Sequence, residues 1–461
     1  MGFFKAYDMR GTFGVDFNLE TVYRVGRALP HVVKGQRWLI GRDCRTSSAA
    51  VRDALVRGLV EAGADVMDLG LCSTPMVYFF TAEDGYDGSV MITASHNPPG
   101  DNGLKVSKRG ALPVGYADGL DEVERLVAAD DAAYDPNGTV PQVRDGTNLA
   151  RYLTWQKSCT SFAGIGESEF GNLAYAVDCS NGMASLLAKA LFPGAVIIND
   201  TLNGRFPNHS PNPLKAEARE QISALVRERK LDCGVIFDGD ADRCMFVDER
   251  GEFVQPDYLI PVVAKATREV PVADTDGKTP RVIHDVRTSR GAIEALKRQG
   301  FEPLMVPVGH AFAKPVLRES GAVCGGELAG HYYFREFHCC DSGILAARRI
   351  LGEIAQAKAD GKSFSEMMQP ISGVYANSGE LNFKVSDKDA AIVRVLACAA
   401  ANLPHEVSRS EMDGIRIEYE TGWINVRKSN TEPYLRLLVE SATAAELKHW
   451  VSFLKEAIEN G

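Results

Sequence analysis

Gly88-Ser89-Val90-Met91-Ile92-Thr93-Ala94-Ser95-His96-Asn97-Pro98 contains a short apolar run that stops at a polar turn. The run reads as a strand, and Asn97-Pro98 fixes the turn after it. Upstream, Arg37–Ile40 and Val66–Leu69 read as strands, and residues 49–62 between them as a helix with Val51, Leu55, Leu59 and Val60 on one face. Such β-α-β alternation implies a mixed or parallel sheet covered by helices. Ligands of these sheets bind at the carboxyl ends of the strands. Ser95, exposed on a turn at that end with His96 beside it, is therefore a candidate reactive hydroxyl. Lys105 comes within reach if the loop folds back. Taken alone, residues 93–98 also fit a surface turn with a chance Ser-His pair.

The rhythm restarts after an Asp-, Gly- and Pro-rich stretch near residues 130–148. Strands are expected at 174–177, 233–237 and 244–247, with a turn at 179–182 leading into a helix and another helix at 215–228. A third unit follows, with strands 281–286 and 304–308 and helices 289–298 and 341–355. The last stretch differs: short strands at 415–419, 423–426 and 434–439 lie close together before a final helix at 444–458, an α+β pattern with an antiparallel sheet. The expected fold is three similar mixed-sheet α/β domains, 1–148, 149–253 and 254–370, and a C-terminal α+β domain, 371–461.

The 461 residues suffice for several cores at roughly 100–200 residues per domain. A formal net charge of -10 argues against nucleic acid as a partner, because a phosphate backbone needs a basic footprint. Any phosphate site must therefore be a local positive region in an acidic protein. The ten cysteines form no C-x-x-C pair, which fits reduced thiols in the cytoplasm better than a zinc site or a disulfide framework. Met1–Lys5 lacks a signal-peptide layout, Ala6 breaks the myristoylation pattern, and no apolar run approaches the ~20 residues of a membrane span. The expectation is a cytoplasmic protein that engages no membrane.

Three further polar loops carry chemistry. Asp238-Gly239-Asp240-Ala241-Asp242-Arg243 follows a strand directly, and its alternating carboxylates make a compact oxygen site for a hard divalent cation. Counted from Asp238, the aspartates and Glu249 match the spacing of an EF-hand calcium loop. Arg243 stands where that loop needs glycine, however, and strands flank it instead of helices. A strand through Cys244–Val247 would also carry Glu249 away from the aspartates. Three ligands and an open position suit Mg²⁺, with a solvated acidic turn as the plainer alternative. Gly325-Gly326-Glu327-Leu328-Ala329-Gly330-His331 reads on its own as a helix-capping loop, although Glu327 and His331 could hold sugar hydroxyls and His310 ends another strand. Arg427-Lys428-Ser429-Asn430-Thr431-Glu432-Pro433 offers a guanidinium fork and hydroxyl, amide and backbone donors to a phosphate, or is a polar hairpin turn.

Together the four loops resemble those of the α-D-phosphohexomutase family: TASHNP, DGD-x-DR, GE-x-SGH and R-x-S-N-TEP, in this order over nearly the whole chain. Lys5-Ala6-Tyr7-Asp8-Met9-Arg10-Gly11 is similar to the family's AYDIRG opening. The resemblance implies four domains around a central active-site cleft, each supplying one loop. Ser95 would carry a phosphoryl group. Asp238, Asp240, Asp242 and a phosphoserine oxygen would hold Mg²⁺. Arg427, Ser429, Asn430 and Thr431 would grip the non-reacting phosphate, and Glu327 the sugar hydroxyls. Tyr7, Arg10, Lys105, Arg243, Arg287, His310 and His331 would line the cleft. Lys105, Arg10 and His96 would stabilise the moving charge, with Lys105 or His310 taking the hydroxyl proton. A hexose 1,6-bisphosphate would be intermediate and activator, and the protein a monomer or weak homodimer.

Two departures stand out. Ala329 replaces the family's usual serine, which predicts altered selectivity at a loss of about 1 kcal/mol for one neutral hydrogen bond. Arg287 replaces a frequent lysine, keeping charge and changing geometry. Asn430 points to the phosphomannomutase/phosphoglucomutase branch, with mannose phosphates as the expected substrate, glucose phosphates as the close alternative and glucosamine phosphates less favoured. The rivals are a metal-dependent phosphatase, which would release phosphate, and a non-catalytic sugar-phosphate sensor, which would not need Ser95, His96, Lys105 and three aspartates.

Overall fold

The computed structural model describes residues 2–159, 170–268, 279–429 and 434–459, except for the side chain of His310. Four sheets follow one another along the chain. In the first, Asp65–Leu71, Arg37–Arg42 and Gly88–Ile92 run parallel, and Asp101–Lys108 then Met9–Thr12 add antiparallel strands. Arg144–Asp145 extends the parallel edge beside Asp65–Leu71.

The second and third sheets repeat this order. Val196–Ile198, Tyr175–Asp178 and Cys233–Phe237 are parallel, followed by antiparallel Cys244–Asp248 and Phe253–Val254. Glu302–Val306, Arg281–Asp285 and Cys324–Gly326 are parallel, followed by antiparallel Tyr332–Phe334 and Cys340–Asp341. In each unit the third strand turns back into the fourth through a hairpin. Those three hairpins are the serine loop, the aspartate loop and the Glu327 loop. The repeat seen in the sequence only as a rhythm is thus a shared topology, and it delivers one polar loop per unit from the same place.

The fourth sheet is antiparallel: Ala376–Asn377, Leu435–Ser441, Gly422–Lys428, Ile415–Tyr419 and Glu406–Ser410 in that order. Helices Lys388–Asn402 and Ala444–Glu459 bury Val395, Ala399, Trp450 and Leu454 against Ile417, Ile424, Val426 and Leu437. That core is its own. In contrast, one apolar cluster runs through the first three units, from Leu39 and Phe79 through Phe237 and Phe246 to Phe334 and Ile350.

Strands 88–92 and 233–237 are buried at every residue, as expected of strands covered on both faces. Two readings are corrected. The stretch after residue 182 forms only two short turns, Met183–Leu186 and Ala188–Leu191. The Glu327 loop joins Cys324–Gly326 to Tyr332–Phe334 as a hairpin and caps no helix. Helix Thr74–Glu83 has no legible period, because its apolar residues Pro75–Phe80 are buried all round.

Candidate active site

Ser95 follows strand Gly88–Ile92 in the left-handed region, at φ 51°, which is costly for a residue with a Cβ. The turn is held from beneath by Arg45, whose side chain is wholly buried. Its Nη1 donates to the carbonyls of Pro98 and Asp101 at 2.5 and 2.9 Å, and its Nη2 to those of Ser95 and Asn97 at 2.8 and 2.7 Å. Asp43 orients Arg45 through Nε at 3.1 Å and through the backbone N–H. Thr93 Oγ1 accepts the Ser95 N–H at 2.8 Å. The Ser95 hydroxyl is thereby aimed at the aspartate loop of the second unit, where Oγ donates to Asp238 Oδ2 at 2.8 Å, and it lies 3.3 Å from His96 Nδ1.

Close approach of the two loops requires glycine at 239: a Cβ there would meet the Ser95 carbonyl oxygen at 2.5 Å. Thr74, at the start of its helix in the first unit, donates through Oγ1 to Asp240 Oδ2 at 2.5 Å and through its N–H to the Asp240 carbonyl at 3.1 Å. Lys105 comes within reach because the chain folds back after the serine loop. It lies on strand Asp101–Lys108, opposite Met91, and the rigid hairpin carries its Nζ to Asp240 Oδ2 at 2.7 Å and Asp242 Oδ2 at 2.6 Å.

One oxygen from each of Asp238, Asp240 and Asp242 lies within 4.8 Å of the others. Burial first, then repulsion from Asp242 and Asp240, push the Asp238 carboxyl up to about 8. Burial and Asp242 also oppose ionisation of Asp240, but Lys105 and the Thr74 hydroxyl hold it below the ordinary range. Oδ1 of Asp240 and Oδ1 of Asp242 are buried without a hydrogen-bond partner. Buried carboxylate oxygens without a partner, within so close a cluster of aspartates, are what a hard cation would satisfy, so the residues fit Mg²⁺. Glu249, the twelfth position of the calcium-loop alternative, is engaged elsewhere: it accepts from the N–H and hydroxyl of Ser365.

Cations ring this cluster. Burial pulls the Lys105 ammonium down, but Asp240 and Asp242 outweigh it, so Lys105 stays charged and would have to lose a proton before it could accept one. Burial and the neighbouring Arg243 and Arg10 push the His96 imidazole well down, so it is neutral at pH 7. Arg10 is held by Asp8 and by Asn97 Oδ1, the latter at 3.1 Å. Arg243 Nε donates to Asp238 Oδ2 at 3.0 Å. Arg10 Nε and Arg243 Nη2 are buried without a partner.

The third unit joins through a backbone bridge between Arg243 and His331. His331 Nδ1 lies 2.7 Å from Asp341 Oδ2. Burial lowers its pKa, but Asp242 and Asp341 more than offset this and raise it. Glu327 accepts from the Tyr333 hydroxyl and, at 3.1 Å, from the Gly309 N–H, leaving lone pairs for another donor. Ala329 is half-buried on the same hairpin. Tyr7 crosses from the first unit to lie beside Gly309, with its hydroxyl 3.4 Å from the Val308 carbonyl.

Arg287 Nη2 lies 2.6 Å from Asp285 and 3.8 Å from Glu327, and its Nη1 3.4 Å from Glu380. Glu380 in turn accepts from Arg427 Nη2 at 2.9 Å. Contacts therefore run without a break from Ser95 to Arg427 through all four units. Ser429 follows the strand of Arg427, which ends at Lys428, and its N–H donates to the Tyr434 carbonyl at 2.9 Å. His310 opens a helix, its side chain not described; Asn430 and Thr431 lie outside the described residues.

The comparisons bear on this arrangement. Residues 1–133, 151–251 and 255–373 match the α/β/α domains I, II and III of phosphoglucomutase/phosphomannomutase, and 380–457 the C-terminal domain. The chain belongs to the phosphoglucomutase/phosphomannomutase family. It is 35% identical over 457 residues to a phosphomannomutase of Escherichia coli, covering 95% of this chain and 94% of that protein. It is 36% identical over 449 residues to a protein of Xanthomonas campestris pv. campestris named for phosphohexose mutases, covering 96% of each. A crystal structure of a family member from Burkholderia thailandensis superposes with a TM-score of 0.80 at 28% identity, covering 99% of this chain and 97% of that one. The chain is accordingly a phosphohexomutase, an isomerase acting on small phosphosugars.

Sequence reasoning missed Asp43, Arg45, Thr74, Asp8, Asp341 and Glu380. Asp43 and Arg45 follow strand Arg37–Arg42 at its carboxyl end, the rule that found Ser95, and could have been found with it. Thr74 sits in a Ser73–Pro75 helix start, where its hydroxyl reads as part of a cap. Glu380 has no local signal.

Proposed function

We propose that this mutase interconverts hexose 6-phosphate and hexose 1-phosphate through phosphorylated Ser95 and a hexose 1,6-bisphosphate, with mannose phosphates as the preferred substrate. The observation that carries the reading is the hydroxyl of Ser95, 2.8 Å from Asp238 and presented to a cluster of three aspartates by a strained turn. Ser95 Oγ gives its phosphoryl group to one sugar hydroxyl and later recovers one from the other position. Catalysis of such transfer rests on positioning and charge stabilisation. Arg10, Lys105 and Arg243 supply the positive field, and neutral His96 a hydrogen bond beside Oγ. Asp238, Asp240 and Asp242 would hold Mg²⁺, which when bound supplies neutralisation of phosphate charge. Glu327 and His331 orient the sugar. Arg427, with Ser429, Asn430 and Thr431, grips the phosphate that is not reacting. The proton of the attacking hydroxyl falls to His310 more readily than to a charged Lys105. The reading includes a cytoplasmic location and a monomer or weak homodimer. Among the described residues no helix is long and apolar enough to cross a membrane.

Incubation with glucose 1,6-bisphosphate followed by peptide mass spectrometry should find phosphate on Ser95. Recovery of unmodified Ser95 alone would refute the covalent route. Comparing kcat/KM for mannose, glucose and glucosamine 1-phosphates decides the sugar, and the bet on mannose is lost if glucose 1-phosphate leads.

A further inference from the structure

Arg427 is an unusual anion ligand in one respect: a carboxylate of this same chain already occupies it. Glu380 Oε1 accepts from Arg427 Nη2 at 2.9 Å and lies 3.4 Å from Arg287 Nη1, while its Oε2 accepts from Arg436 Nη1 at 3.1 Å. The side chains of Arg427 and Arg287 are only 3% and 4% exposed, whereas Glu380 keeps 19% of its side chain in solvent. Glu380 is thus the more water-accessible partner in its pairs with Arg427 and Arg287. Burial opposes its ionisation, but Arg287, Arg427 and Arg436 overcome this and hold it at about 2, so it is always charged. The remaining acids nearby are more remote from Arg427 or committed elsewhere. Asp413 Oδ2 stands 3.9 Å from Arg427 and accepts the Val308 N–H at 3.0 Å, and Asp285 and Glu327 face Arg287.

We propose that Glu380 is an internal competitor for the phosphate seat of Arg427, an anion of the protein that the substrate's phosphate must displace. The idea rests on the reading of Arg427 as a phosphate ligand and adds what that reading lacks. A mutase of this kind must hold each phosphate and also release it, since the bisphosphorylated sugar has to turn end for end. A guanidinium fork on a phosphate dianion is among the strongest charge-assisted pairs. A built-in carboxylate sets the cost of engaging it and refills the seat on release. Glu380 also joins Arg287 of the third unit to Arg427 and Arg436 of the fourth, so the same displacement loosens the contact between the two units.

The test is titration of the full-length protein with inorganic phosphate, followed by steady-state kinetics. Glu380→Gln keeps the shape and an acceptor oxygen but removes the charge. It should bind phosphate at least tenfold more tightly, and both KM and kcat should fall, because release slows. Glu380→Asp, which keeps the charge but withdraws it by one methylene, should tighten binding by a smaller factor, and it decides the matter if the glutamine variant does not fold. Unchanged or weaker phosphate binding in a folded variant would overturn the proposal. Arg427→Ala separates the two ideas. If it leaves phosphate affinity unchanged, the Arg427 reading itself is wrong. If it weakens binding while Glu380→Gln fails to tighten it, only the competitor is lost.

Discussion

Replacing Arg45 with methionine tests whether the serine turn is preorganised by the residue beneath it. Met fills much of the stem volume and removes the fork. Four carbonyls lose a donor, and Asp43 keeps a buried charge with its partner gone. Breaking a buried pair by removing one partner costs about 3–5 kcal/mol. The freed carbonyls can recover water only if the turn opens, and the turn already carries about 1–2 kcal/mol of backbone strain at Ser95. If about 4 kcal/mol is lost from the closed turn, the population with Ser95 aimed at Asp238 falls by about three decades, at 1.4 kcal/mol per decade. The expected result is a loss of about 1000-fold in kcat/KM for mannose 1-phosphate, with slow phosphorylation of Ser95 by glucose 1,6-bisphosphate. Arg45→Lys keeps charge but cannot serve four carbonyls at once, and should fall between. A methionine variant within tenfold of the natural enzyme would refute the claim that Arg45 holds the turn.

Gly239→Ala should cost at least tenfold in kcat, because the new methyl must push the Ser95 carbonyl away; near-normal turnover would mean that the loops yield freely. Glu249→Ala should leave activation by Mg²⁺ unchanged, since Glu249 is tied to Ser365, and a shifted metal dependence would reopen the calcium-loop reading. Asp257 is buried with Oδ1 lacking a partner, and burial, opposed by the Ser289 N–H, pushes its carboxyl up to about 7. The folded protein therefore holds a proton that the unfolded chain releases near 4, and Asp257 costs stability as pH rises from about 4 to 7. Asp257→Asn should gain on the natural protein in urea denaturation between pH 5 and 8, and a pH-independent difference would count against it.

The four loops were legible because their chemistry is contiguous. Asp238–Arg243 states its carboxylates in six residues, and Gly88–Pro98 states both strand and turn. Elements with a clear period, such as Ala216–Arg229 and Ala444–Glu459, were equally open to reading. What stayed hidden depends on distant partners. Arg45 and Glu380 matter through residues far along the chain, and helix Thr74–Glu83 lost its period to burial on every side. Lys105 was expected within reach if the loop folds back, and the strand register that sets it opposite Met91 depends on a pairing that the local sequence does not state.

The separate apolar core of the fourth unit has a mechanical consequence. It meets the third unit through Arg290 with Glu418, Arg416 with the carbonyls of Val286 and Thr288, and a small apolar patch of Leu328, Trp423 and Leu438. Water can re-solvate guanidinium and carboxylate groups as they part, whereas splitting the continuous core of the other three would expose oil. The molecule is therefore built as a heavy anvil with a light, detachable jaw. Heat or a protease should free the jaw first and leave the anvil standing.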